Sequence, residues 1–136
     1  VDVLKANEME MKVITGTTDV YEAGRMLYKW GVKEVLLTLG SMGSVIYDGK
    51  EFTMVPAYHA DVVDATGCGD TYMAGYLYKR AKGASMEESA KFAAAVATIK
   101  IEAFGPFTGT EADVQKIMET REAKLPDDEV LASLVF

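Results

Sequence analysis

The sequence has little of several things, and each scarcity excludes a class of protein. Its 136 residues include one cysteine, Cys68. That excludes a disulfide framework and any zinc site built on several thiolates. Only three prolines occur, two of them (Pro106 and Pro126) late, and no Pro/Ser-rich linker, repeat or low-complexity tract divides the chain. No apolar stretch approaches the ~20 residues of a membrane-spanning helix, and the first residues do not read as a signal peptide. Basic residues are in deficit, 14 Lys plus Arg against 21 Asp plus Glu, for a formal charge of −7. An acidic domain is a poor non-specific binder of DNA, RNA or anionic membrane, because each phosphate contact needs a local cation. What is present, a 49% hydrophobic share with 26% charged residues, suffices to fill a core. The expectation is a soluble, cytoplasmic protein of single-domain size. The chain opens Val1-Asp2-Val3-Leu4-Lys5-Ala6-Asn7 without an initiator Met. It reads as though entered within a strand, which suggests a processed or truncated chain.

Val1–Leu4 alternates weakly as a short strand, and 8–14 reads as a brief helix closed by Gly16. Asp19 with Glu22 marks the start of a helix over 19–30, with Val20, Ala23, Met26, Leu27 and Trp30 on its apolar face and Gly31 as its stop. The run Glu34-Val35-Leu36-Leu37-Thr38-Leu39, of strand length and ending in Gly40, suits a strand buried on both faces. Segments 44–47 and 51–55 flank Asp48-Gly49-Lys50 and predict a hairpin. Val62-Val63 reads as a last extended piece. The chain then turns helical. The expected helices are 70–82 with Met73, Leu77 and Ala81 on one stripe, 86–103 opened by Ser85 and Glu88, and a third opened by Thr110 and Asp113. Ala90, Ala93, Ala94 and Ala97 give the middle helix a small-residue face. Strands first and helices later, on a buried mixed sheet, predict an α/β layer architecture. Residues 121–136 form a tail without an assignment, acidic and then apolar (Leu131, Leu134, Val135, Phe136).

The most informative segment is Val63-Asp64-Ala65-Thr66-Gly67-Cys68-Gly69-Asp70-Thr71. It lies between a strand and a helix, where the N–H groups of the helix start have no internal partner and, with the helix dipole, make an anion site. Gly67 and Gly69 can adopt the positive φ such a turn needs and leave room for a phosphate. Asp70, on the first helical turn, can accept a proton from a substrate hydroxyl. It is equally a favoured first-turn residue with no chemistry, and spacing alone leaves both readings open. A P-loop is absent, and Tyr72 stands where a Rossmann fingerprint needs its third glycine.

Asp64-Ala65-Thr66-Gly67-Cys68-Gly69-Asp70 resembles the D-T-x-G-A-G-D signature of the PfkB (ribokinase-like) carbohydrate kinases. Asn7-Glu8-Met9-Glu10 is similar to that family's N-x-x-E motif. Thr38-Leu39-Gly40-Ser41-Met42-Gly43 is similar to its T-x-G-x-x-G nucleotide segment, and the Ala93–Ala97 helix resembles its adenine-side helix. The likeness runs from about residue 1 to 118, within a kinase part expected over 1–120. It implies a three-layer ribokinase-like α/β fold, present in part, with a mixed, mainly parallel sheet flanked by helices. It also implies an ATP-dependent phosphotransferase acting on an alcohol group of a small sugar-like substrate. Asp70 would be the general base, with the amides of Gly67, Cys68 and Gly69 as the anion hole. Thr38, Gly40, Ser41, Gly43, Ala93 and Ala97 would line the nucleotide. Asn7 and Glu10 would help hold Mg²⁺ with its waters, although Asn7 also suits an N-cap and Thr38–Gly43 a strand with a tight turn. Some members bind K⁺ near the signature, which makes Asp64 the matching candidate.

Ala65 and Cys68 replace the signature's usual Thr and Ala without removing a backbone donor. Cys68 reads as a small buried residue or as a thiol activated by the helix N-terminus. His59, the only histidine, reads as a surface residue. The family's N-terminal part supplies the sugar-binding residues and the lid, so both are expected to be missing here. Many relatives pair through that lid, which implies a homodimer for a full-length protein. The readings that compete are a truncated, non-catalytic nucleotide-binding module and an inositol or nucleoside kinase of the same family.

Overall fold

The structure, a computed structural model, describes residues 2–63, 67–103, 109–126 and 131, with Ser41 described by its backbone alone. Asp64, Ala65 and Thr66 of the signature, and Leu134, Val135 and Phe136 of the tail, lie outside the described residues. The chain separates into two compact units, Val1–Val55 with Leu125–Phe136, and Pro56–Lys124.

In the first unit, β1 (Val3–Asn7) runs directly into α1 (Glu8–Thr15), and Asn7 turns the chain. Its Oδ1 accepts from the Glu10 N–H at 2.8 Å while Glu10 Oε1 accepts from the Asn7 N–H at 3.0 Å. This reciprocal capping box satisfies two donors of the helix start. Gly16, at φ +77°, ends the helix. Asp19 caps α2 (Val20–Lys29) through the N–H groups of Tyr21 and Glu22. Then follow β2 (Glu34–Thr38), β3 (Ser44–Tyr47) and β4 (Phe52–Val55), in the sheet order β1-β2-β3-β4. The sheet is mixed, as expected. Parallel pairing, however, is confined to β1–β2; β2–β3 and β3–β4 are antiparallel. Tight turns after β2 and β3 reverse the chain, whereas the parallel pair needs the two-helix crossover.

Val35, Leu36 and Leu37 of β2 are all buried, so consecutive residues on opposite faces are covered. Met11, Val20, Ala23, Leu27, Val35, Leu37, Leu39 and Val45 form the core of this unit, together with Leu131 from the tail. Trp30, expected on the apolar face of α2, is 58% exposed. It is the C-cap residue, beyond the stripe that Val20, Ala23 and Leu27 bury.

The second unit holds β5 (Ala57–Tyr58), α3 (Cys68–Ala81), α4 (Met86–Ile101), α5 (Glu111–Thr120) and β6 (Ala123–Lys124), with β5 antiparallel to β6. Val62 and Val63 are not a strand; both are exposed, and the Val63 N–H bonds the Ile101 carbonyl at 2.7 Å. Helices α3 and α4 pack closely and run antiparallel, with Gly75 facing Ala93 and Val96 and Cys68 facing Ala97. A Cβ on Gly75 would lie 3.3 Å from Ala93 Cα, so glycine there lets the backbones approach. The buried stripe of α3 is therefore Tyr72, Gly75 and Tyr76, and not Met73, Leu77 and Ala81; Leu77 is 47% exposed. On α4, Ala90 and Ala93 are buried and Ala94 and Ala97 half-buried. Ser85 caps α4, and Thr110 with Asp113 forms a full capping box on α5. Glu102 accepts two bonds from Arg121, at 2.9 and 3.0 Å, and one from the Asp61 N–H. Arg121 also donates to the His59 carbonyl. The segment entering the signature is thus fastened to the ends of α4 and α5.

Candidate functional site

The start of α3 differs from the starts of the other described α-helices. Asn7, Asp19, Ser85 and Thr110 each cap their helix with a side chain, whereas Gly67 caps α3 with none. Gly67 sits at φ +78°, ψ 4°, a left-handed conformation that disfavours any Cβ. The first bond of the helix runs from the Thr71 N–H to the Gly67 carbonyl at 3.0 Å. The N–H groups of Cys68, Gly69 and Asp70 therefore have no carbonyl of their own helix to bond. Among the described residues, nothing lies within 4 Å of where a Gly67 Cβ would stand. Gly69 does not have the positive φ expected of it; it is the second residue of the helix itself. Its lack of a side chain keeps that turn accessible, while Gly67 alone makes the bend.

Asp70 lies in the first turn with its side chain exposed. A carboxylate in the first turn of a helix stands favourably against the positive end of the helix dipole. Cys68 is half-buried, with Sγ 4.0 Å from the Ala97 carbonyl. It turns toward α4, as a small residue filling an alanine-sized space would. Ala97 accordingly stands beside the signature, whereas Ala93 is fully buried opposite Gly75. His59 keeps its side chain exposed, 3.9 Å from Asp61. Asp64 lies outside the described residues. Lys100, in the last turn of α4, is a buried residue that the sequence reading passed over. A lysine at a helix C-terminus reads as a partner for the dipole, and only its burial sets it apart.

The remaining candidates belong to the first unit, and the β1–β2 register gathers them. Asn7 pairs with Thr38 at the C-terminal ends of two parallel strands, the end of an α/β sheet where ligands gather. Asn7 and Glu10 are joined by their capping bonds. Thr38 Oγ1 donates to the Ala6 carbonyl at 3.4 Å. Gly40, Ser41 and Met42 form one turn of 3₁₀ helix, with Gly40 at φ +60° and Gly43 at φ +102°. The Leu39 N–H closes that loop on the Gly43 carbonyl at 2.8 Å. A Cβ on Gly40 would meet nothing within 4 Å among the described residues. Among the described residues no group of three or more His, Cys, Asp or Glu is placed to hold a metal ion. Asn7 and Glu10 are each already committed to a capping bond, and an Mg²⁺ ion that keeps most of its waters asks for few direct protein ligands.

The family model of the pfkB family carbohydrate kinases matches residues 1–113. The chain belongs to the pfkB family. A cytidine kinase from Thermococcus kodakarensis is 40% identical over 90 residues, 65% of this chain and 32% of that one. Among solved structures, Arabidopsis thaliana ribokinase complexed with ribose and ATP is 35% identical, with a TM-score of 0.77 over 88% of this chain and 41% of that one. A pyrophosphate-dependent kinase in the ribokinase family, complexed with a pyrophosphate analog and myo-inositol, is 33% identical, with a TM-score of 0.73 over 85% of this chain and 41% of that one. The fold of this pfkB chain is thus ribokinase-like, a partial α/β fold with a mixed sheet and flanking helices. It spans about a third of the length of the curated relatives it matches.

Proposed function

We propose that this chain is the nucleotide-binding part of an ATP-dependent phosphotransferase that acts on an alcohol group of a sugar or sugar-like acceptor. The observation that carries the reading is the start of α3, which has no side-chain cap, a left-handed Gly67 and Asp70 in the same turn. In this reading the amides of Gly67, Cys68 and Gly69 hold the phosphoryl oxygens and stabilise the charge that grows on them. Asp70 takes the proton of the acceptor hydroxyl as its oxygen bonds to the γ-phosphorus, and the bond to the departing ADP oxygen breaks with its electron pair. Thr38, Gly40, Ser41, Gly43, Ala93 and Ala97 belong to the nucleotide side, by resemblance. Asn7 and Glu10 would hold Mg²⁺ through its waters. Such an ion would supply positive charge against the phosphate oxygens. Asp64 remains the candidate for a K⁺ site.

The named relatives act on or bind different acceptors, among them a cytidine kinase, a ribokinase bound to ribose and a kinase bound to myo-inositol. Nucleoside and inositol acceptors therefore stand beside sugars as a second reading of substrate class. The test is phosphoryl transfer from ATP to a panel of sugars, inositols and nucleosides, followed as ADP release. Asp70→Asn should lower kcat by ~10²–10⁴, the usual worth of a general base, while ATP binding persists. Undiminished turnover in that variant would remove Asp70 from the mechanism. Binding of ATP without transfer to any acceptor would favour a non-catalytic nucleotide-binding module.

A further inference from the structure

We infer that Glu102 and Arg121 are positioning residues for the signature segment. This rests on the nucleotide-binding reading and deepens it, because it names what fixes the chain where it enters the signature. Alternate residues of that approach are each tied by their backbone. The His59 N–H bonds the Glu122 carbonyl at 2.8 Å, and the Val63 N–H bonds the Ile101 carbonyl at 2.7 Å. Between them, the Asp61 N–H bonds Glu102 Oε2 at 3.0 Å, and the His59 carbonyl accepts from Arg121 Nη1 at 3.0 Å. Glu102 and Arg121 are joined to each other by two further bonds, at 2.9 and 3.0 Å.

An ion pair at a protein surface contributes little by itself. This one differs because each partner also holds backbone far away in sequence, 41 positions for Glu102 and 62 for Arg121. A guanidinium that meets a carboxylate through two bonds fixes direction as well as distance. Glu102 is the C-cap residue of α4 and Arg121 that of α5, so the pair sets the approach segment against two helix ends at once. The same end of α4 also meets the far side of the segment. Cys68 Sγ lies 4.0 Å from the carbonyl of Ala97, about one turn before Ile101. Val63, where the segment opens, and Cys68, past Gly67, are therefore both held against residues 97–101. Donors aimed at a phosphoryl group act only as far as their geometry is fixed beforehand. Loss of the pair frees one of the two ends, and the donors lose aim without losing any atom of their own.

The test is calorimetric titration of the whole chain with ATP, inorganic pyrophosphate and adenosine, well below the thermal midpoint. The variants are Glu102→Ala, Arg121→Met and the two combined. Each single change should weaken ATP and pyrophosphate by about three- to tenfold and leave adenosine nearly unchanged. The combined variant should bind no more weakly than the worse single one, because the pair acts as a unit. Arg121→Lys keeps the charge and should recover part of the loss. Should a truncation unfold the chain, Arg121→Lys and Glu102→Gln carry the same comparison. A lower thermal midpoint with all three affinities intact would mark the pair as structural only and overturn the inference, while the nucleotide site stands. Equal weakening of adenosine would overturn it as well. If the unaltered chain binds neither ATP nor pyrophosphate, the nucleotide reading itself falls, and the positioning role with it.

Discussion

Gly67 and Gly69 are indistinguishable in the sequence, one residue apart in a glycine-rich signature, yet they do different work. Gly67 holds a left-handed backbone at φ +78°, while Gly69 is an ordinary helical residue. The difference depends on which residue begins the helix, and a motif does not state that. Gly40, at φ +60°, is the counterpart of Gly67 in the first unit. At both positions a Cβ would meet nothing within 4 Å among the described residues, so substitution tests chiefly the backbone. Gly67→Ala and Gly40→Ala should each cost about 1–2 kcal/mol, the penalty for an L-residue in that region, as read by urea denaturation. A cost near zero would mean that the loop relaxes to negative φ. Cys68, Asp70 and Asn7 were legible as residue types suited to their places. Lys100 was not, because burial is a tertiary property with no local sequence mark.

Helix ends were more legible than helix faces. Caps are local, so Asn7, Asp19, Ser85 and Thr110 announce their helices three residues ahead, and all four bonds are present. The buried face of α3 depends on the partner helix, and α4 presents small residues that select Gly75 as the point of closest approach. The two-residue strands β5 and β6 carry no alternation to detect. A similar close approach joins α2 to the sheet. A Cβ on Gly24 would stand 2.7 Å from Phe52 Cε1, and Phe52 is stacked on Tyr47 at 4.2 Å and edge-on to Tyr21 at 4.9 Å. That ring has little freedom to move, so Gly24→Ala should destabilise by about 1–3 kcal/mol despite its gain in helix propensity. A more stable variant by thermal melting would show that the aromatic cluster yields. In the second unit, the Arg121 guanidinium bonded to Glu102 holds that carboxyl below the usual glutamate range. Its contribution is therefore complete at neutral pH and fades as pH falls through the lowered folded value. The pair is part-exposed, 34% and 21%, so its worth is about 1 kcal/mol at most. The stability gap between the unaltered chain and Glu102→Gln should narrow between about pH 5 and pH 3. A gap independent of pH would assign the effect to packing.

At the scale of the molecule, an excess of seven negative charges weighs against phosphate ligands held by side-chain cations, and the proposed site relies on backbone donors at α3 instead. The tail carries a parallel lesson. Residues 121–136 carry no periodic pattern to place, and isolated buried residues such as Pro126 and Leu131 have no period. Yet Leu131 is fully buried among Met11, Val20, Leu27, Val35 and Leu37, so a residue near the C-terminus completes the core that begins at β1. That core draws on residues more than a hundred positions apart, and its contacts form only once both ends of the chain are present. Leu131→Ala removes three carbons from a site with no solvent access and should cost about 2–5 kcal/mol, the usual range for a cavity of this kind. For a unit of this size such a loss is a large share of the stability available. Hydrogen exchange read by mass spectrometry should then show faster exchange in β1, β2 and α2, the elements Leu131 packs with. Unchanged protection in those elements would mean that the tail rests on the core without supporting it.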